Sequence, residues 1–233
     1  MIPIRFHPFA CFLVLLFAGM TNASDTTVAV LDFENNSIQD PLTYQPLAQG
    51  LAEIMITEFQ QVESIRVVER QRLRTLLDEL KLSQSGLLSP ETSVTVGKML
   101  GAKYLVFGGF MVTMNNKIRI DVRIVEVETG LTVKASEETG KTHQVLSLIG
   151  NLSIKLLKDI HIRLSKNEEQ QLNRSQDFNV DAVLAFSKGV ESEDAQQWEQ
   201  AKTYYRKALT LNPGFTQAGL RLDKLLQSQP LQE

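Results

Sequence analysis

The chain has 233 residues and a formal net charge of −3, with 24 Lys and Arg against 27 Asp and Glu. That balance lacks the basic excess that marks a nucleic-acid partner. The length accommodates one main domain and something smaller.

The N-terminus carries Arg5 and no acidic residue before Asp25, followed by an apolar run from Phe9 to Met20 and then Thr21-Asn22-Ala23-Ser24. This is the order of a secretory signal peptide, expected over residues 1–23 with cleavage after Ala23. The run falls short of the ~20 apolar residues a permanent membrane helix needs. The single cysteine, Cys11, lies inside the run rather than at its end, where a lipid acceptor would sit. The expected product is an unlipidated periplasmic protein, able to associate with the outer membrane. It would have no transmembrane segment after signal removal, and no cysteine for disulfides or thiolate metal sites.

Residues 25–164 read as one α/β unit. Val28 to Leu31 is a continuous apolar run, as in a strand covered on both faces, and Asp32 to Ser37 ends it in turn chemistry. From Pro46 a helical stripe begins: Leu47, Leu51, Ile54, Met55, Phe59. Ile65 to Val68 is a short strand, and Leu73, Leu76, Leu77 and Leu80 predict a second helix. Ser89-Pro90-Glu91 predicts the start of a third, through a serine cap, a proline in the first turn and an acid at the positive end of the dipole. Its end falls at Leu100-Gly101, where glycine permits a left-handed cap.

From Lys103 the period becomes two. Tyr104 to Phe107 opens a strand, and Gly108-Gly109 suggests close backbone approach or a bulge. Asn115-Asn116 predicts a tight hairpin turn. Ile118, Ile120, Val122 and Ile124 alternate with Arg119, Asp121 and Arg123, so one face is buried and one wet. Glu128-Thr129-Gly130 turns the chain into a strand from Leu131 to Thr139. A long helix then carries Leu146, Ile149, Leu152, Leu156, Leu157 and Ile160 inward. The sum is an α/β sandwich with a mixed sheet.

The runs VAVLDFENN, PLAQGLAEIMITEF, VVERQRLRTLLDEL, GAKYLVFGG and RIVEVETGLTVKA, in that order, resemble the periplasmic domain of the curli secretion channel (CsgG) family from Val28 to about Leu164. Similar cores are known from the N-terminal domain of TolB and from lipoprotein activators of peptidoglycan synthases. The resemblance implies a mixed-sheet α/β sandwich of the CsgG and TolB-N type. It also implies an envelope role and self-association. Two departures stand out. The lipidated cysteine of the channel is missing, and the two long hairpins that build its barrel have no room here. A barrel strand needs ~9–11 residues to cross, whereas Asn115-Asn116 and Lys141-Thr142-His143 are the whole of those connections.

Residues 165–178 are polar and read as a linker or an extension of the preceding helix. Residues 179–228 form a small C-terminal all-α helical hairpin. Within it Gly189, Ala201, Tyr205, Ala208 and Pro213 fall at the spacing of one tetratricopeptide repeat, which this segment resembles. The small residues allow close helix approach, Tyr205 fills the space between, and Pro213 stops the second helix. A lone repeat leaves apolar surface to be covered by the main domain, another copy or a partner.

Candidate chemistry is sparse. His143 and His161 lie too far apart on a predicted helix to share an ion, so no metal or cofactor is expected. Asp32 ends a strand, where α/β active sites often lie, but no base, nucleophile or metal cluster accompanies it, and no catalytic residue is assigned. Arg66, Arg70, Arg72 and Arg74 read as the wet side of a strand–helix unit, with an acidic partner surface as a second role. The expected function is a non-catalytic interaction protein, with protein partners in the cell envelope and no nucleic acid, that supports assembly or secretion of surface structures. An outer-membrane channel subunit or channel accessory is the alternative, and a periplasmic enzyme the third reading.

Overall fold

The computed structural model describes residues 26–38, 40–80, 90–173 and 179–228. The predicted signal peptide, Cys11, the Ser89 cap and the end of the predicted linker lie outside the described residues.

Strand β1 (Thr26–Val30) pairs in parallel with β3 (Ile65–Val67) on one side and β4 (Tyr104–Thr113) on the other. Two-residue β2 (Glu34–Asn35) continues alongside β4, and β5 (Lys117–Glu126) and β6 (Thr132–Lys141) add antiparallel strands. The result is a six-stranded mixed sheet of order β3-β1-β4-β5-β6, with β2 against β4. The sequence reading of the fold class therefore holds.

Alternation explains the two layers. On β1, Val28 and Val30 join the larger core, whereas Ala29, and Leu31 just past the strand, join a smaller one on the opposite face. The larger core holds α2 (Leu47–Gln60), entered from the short α1 (Pro41–Tyr44), and α5 (Val145–Asp159). The smaller core is closed by α3 (Arg70–Glu79) through Leu73 and Leu77, and by α4 (Pro90–Leu100) through Val96 and Leu100. Fully buried Leu51, Phe59, Phe110 and Leu156 each contribute about 1.5–3 kcal/mol over exposure.

The local turn chemistry works as expected. Asn115 and Asn116 take φ of 70° and 56°, both left-handed, which is the hairpin turn that matches strand twist. Gly101 ends α4 at φ 67°. At Gly108 a Cβ would lie 2.1 Å from the Asp121 carbonyl oxygen, so the strands approach as the glycine pair suggested.

Two expectations are corrected. Part of the predicted linker is a separate helix, α6 (Lys166–Leu172), because Ser165 and Glu168 form a reciprocal cap. The Ser165 N–H donates to Glu168 Oε2 at 2.7 Å, and the Glu168 N–H donates to Ser165 Oγ at 3.3 Å. The histidines are not on one helix either. His143 sits in a 3-10 turn before α5, and His161 follows α5 at φ 63°.

Helices α7 (Val180–Asp194), α8 (Trp198–Leu211) and α9 (Thr216–Ser228) follow. They share the larger core, with Ala182, Val183, Phe186 and Val190 of α7 in the same cluster as Leu51 and Ile54 of α2. The contact is close: a Cβ on Gly50 would lie 1.8 Å from Ser187 Oγ and 2.6 Å from Ser187 Cβ.

Candidate functional site

The C-terminal helices meet the α/β body through two buried charge clusters. The first is centred on Arg70, the first residue of α3, which is 7% exposed. Its Nη1 lies 2.7 Å from Asp32 Oδ1, just past β1. Its Nε and Nη2 donate to Asp194 Oδ2 at 3.2 and 3.0 Å, at the end of α7. Arg74, one turn further along α3, also pairs with Asp194. Burial pushes the Asp32 carboxyl above the usual carboxylate range, with Arg70 pulling the other way and Asp194 adding to the rise. For Arg70, burial opposes the charge, but Asp32 and Asp194 outweigh it and hold the cation more firmly than usual.

The second cluster joins four helices. Arg221 of α9 donates from Nε to Glu53 Oε1 on α2 at 2.9 Å, and from Nη1 to Glu193 Oε1 on α7 at 2.9 Å. Tyr205 of α8 donates its hydroxyl proton to Glu193 Oε2 at 2.7 Å. Burial, then the charge of Glu193, drives the Tyr205 phenol above its ordinary range, so it remains a donor. Burial opposes the Arg221 charge, but Glu53 and Glu193 more than offset it. Next to these, Gln217 Nε2 donates to Glu58 Oε1 at 3.1 Å. Glu53 Oε2 and Gln49 Oε1 are buried without a hydrogen-bond partner among the described residues.

Between the clusters lies a polar cleft of about 370 Å³, lined by α2, α3, α9 and the α7–α8 turn. Exposed Trp198 and Leu220 are part of its lining. The guanidinium groups of Arg70, Arg74 and Arg221 all face carboxylates, so the cleft couples elements of this chain rather than presenting bare charge.

The four arginines singled out in the sequence do not form one surface. Arg70 and Arg74 are four apart and turn inward to Asp194, while Arg66 and Arg72 are exposed. The wet-side reading therefore fails for Arg70, whose acidic partners lie in its own chain. Asp32, at the strand end where the sequence placed turn chemistry, is an ion-pair partner of Arg70. Of the packing residues, Gly189, Ala201, Tyr205 and Ala208 are buried together between α7 and α8. A Cβ on Gly189 would lie 2.5 Å from Tyr205 Cε1. Pro213 is exposed in the turn between α8 and α9. Sequence reasoning missed Glu53, Glu193, Asp194 and Arg221. The one available signal was Glu53, an acid set among the apolar residues of α2.

No curated protein matches the chain. Among solved structures, lipoprotein GNA1162 from Neisseria meningitidis is 10% identical over 60% of this chain and 99% of its own, with a TM-score of 0.43. The C-terminal domain of LpoB from Escherichia coli is 15% identical over 51% of this chain and 84% of its own, at 0.37. TolB from Acinetobacter baumannii is 9% identical over 58% of this chain and 28% of its own, at 0.39. A family model matches from ahead of β1 to within β4, leaving β5, β6 and α5 beyond it. Over residues 16–112 the chain is thus similar to the family described as Curli production assembly/transport component CsgG.

Proposed function

We propose that this protein is a non-catalytic interaction module of the periplasm that supports assembly or secretion of cell-envelope or surface structures. The observation that carries the reading is the family-model match over residues 16–112, coming on a mixed α/β fold with helices packed against it. The α7–α8 pair, with Gly189 against Tyr205, supports the tetratricopeptide resemblance and a protein-binding use of its free side. Trp198 is 38% exposed and Leu220 58% exposed, and both line the cleft, which supplies apolar contact area for a protein partner. No helix among the described residues is long and apolar enough to cross a membrane. The β4–β5 connection is a tight turn at Asn115-Asn116, which favours an accessory or assembly role over a pore subunit.

Deletion and complementation test this reading. Loss of the gene should impair assembly of a surface or envelope structure, and the wild type should restore it. A deletion strain with intact envelope and surface assembly would overturn the assembly role. A turnover activity abolished by Asp32→Asn in a folded protein would overturn the non-catalytic one.

A further inference from the structure

We infer that β6 is a two-fold pairing edge, and that its occupant is β6 of a second copy of this chain, in the register that sets Ser136 opposite Ser136. This goes beyond the proposed function and does not depend on it.

Strand β6 closes one end of the sheet, and nothing among the described residues pairs with its outer side. Its orientation follows from one bond. The Thr142 N–H donates to the Asn116 carbonyl at 2.8 Å, and the β5–β6 register continues as Lys117 opposite Lys141 and Ile118 opposite Gly140. Hydrogen-bonded and non-hydrogen-bonded pairs alternate along an antiparallel ladder. Gly140, Glu138, Ser136 and Lys134 therefore bond inward to β5. Thr139, Glu137 and Ala135 direct their N–H and C=O groups outward, an unpaired row of the kind that templates strand addition.

Two copies pairing about a two-fold axis must bring outward residues opposite outward residues, so the axis passes through a residue and not between two. Few registers remain. Centring on Lys134, Glu137 or Glu138 sets like charges face to face, which is unfavourable. Centring on Ala135 brings no charge pair together. Centring on Thr139 sets Glu137 against Lys141 but overlaps only from Glu137 to Lys141. Centring on Ser136 overlaps from Thr132 to Gly140 and places Lys134 opposite the second copy's Glu138, twice by symmetry.

That pair falls at non-hydrogen-bonded positions, where side chains approach most closely. Small Ser136 stands on the axis. Lys134 and Glu138 lie on the face that carries α5, where Glu138 accepts from Lys155. Lys134 is exposed and has no ion-pair partner among the described residues. The bulge that displaces Val133 lies outside the Lys134–Glu138 stretch, so it leaves both charge pairs in register and affects only the ends of the overlap. The charges on this edge complement one another in one extensive register and in one short one, centred on Thr139, and repel or ignore one another in the rest.

The test is sedimentation velocity on the purified protein over a concentration series, with a chemical readout of the register. Ser136→Cys in a Cys11→Ser background should form a disulfide-linked dimer under mild oxidation, whereas Thr139→Cys, facing Val133 of the second copy, should not. Lys134→Glu turns two attractive pairs repulsive and should weaken self-association by about tenfold or more. Glu138→Lys should do the same, and mixing the two variants should restore the dimer, since each then meets an opposite charge. Both substitutions are at the sheet edge, and circular dichroism checks that the variants fold. A monomer at about 0.1 mM, an oligomer indifferent to Lys134→Glu, or equal cross-linking from Cys at 139 would overturn the inference.

Discussion

Replacing Arg70 with leucine tests whether the buried charge clusters hold the C-terminal helices to the α/β body. The Arg70 side chain is 6% exposed and that of Asp32 11%, and their atoms are 2.7 Å apart. Asp194 keeps Arg74 as a partner, but Asp32 loses its direct ion pair and keeps only the weaker pull of the Arg74 charge. Removing one member of a buried pair costs about 3–5 kcal/mol, because the remaining charge stays desolvated. With a urea slope near 2 kcal/mol per molar, the unfolding midpoint should fall by roughly 1.5–2.5 M at pH 7. The loss should also become pH-dependent in a specific direction. Burial already raises the Asp32 carboxyl above its unfolded value, and removing Arg70 raises it further. A group raised in the folded state binds its proton more tightly there, so its contribution is fully present below the unfolded value. That contribution is lost as pH rises through the folded one. The variant should therefore recover toward wild type between pH 7 and pH 5, at no more than about 1.4 kcal/mol per unit for one proton. Adding Asp32→Asn should recover much of the loss at pH 7 and flatten the pH dependence. A cost under about 1 kcal/mol, with wild-type pH dependence, would refute the premise that Arg70 neutralises a desolvated acid.

Gly50→Ala should cost about 1–3 kcal/mol by urea unfolding, since its methyl would lie 1.8 Å from Ser187 Oγ. Ser187→Ala should fail to rescue it, because the Ser187 Cβ is itself 2.6 Å away. Tyr205→Phe removes the donor to Glu193 Oε2 and should lower stability by about 1 kcal/mol in the same assay, without displacing α7 from α8 in amide exchange. Asn116→Ala, at φ 56°, should lower the thermal midpoint and Asn116→Gly should hold or raise it; the reverse order would contradict the left-handed hairpin turn.

Local rules made most of the α/β body legible. The alternation from Ile118 to Ile124 placed β5, and the paired asparagines placed its turn. What stayed hidden depended on distance along the chain. Arg70 looks like surface because its neighbours do, and nothing nearby in sequence reveals that its acid lies 124 residues away. Strand β6 lacks an apolar period, since it lies at the edge and exposes its odd-numbered residues. Its place comes from the hairpin register rather than from its composition. The cap of α6 was readable, as Ser165 is followed three residues later by Glu168, but the polar composition around it masked the signal.

Helix α2 carries a less obvious message about the C-terminal helices. A helix with one apolar stripe needs one covering layer, and Leu47, Leu51, Ile54, Met55 and Phe59 would satisfy that. Yet Ala48, Ala52 and Ile56 are buried as well, and so are Gly50 and Glu53. A helix apolar nearly all round is one covered nearly all round. The sheet covers one side and α7 the other, drawn close enough at Gly50 that no side chain fits there. The acid on this second side, Glu53, is answered by Arg221 from α9. The excess of apolar residues in α2 was thus a statement, made early in the chain, that a second helical layer must return to it. Removing residues beyond Asn179 would strip that layer, expose this side of α2, leave Glu53 without Arg221 and take Asp194 from Arg70. The helical segment is part of the same packed body as the sheet, so the partner contacts proposed for it have to be probed by surface substitutions such as Trp198→Ala and Leu220→Ala in the intact chain.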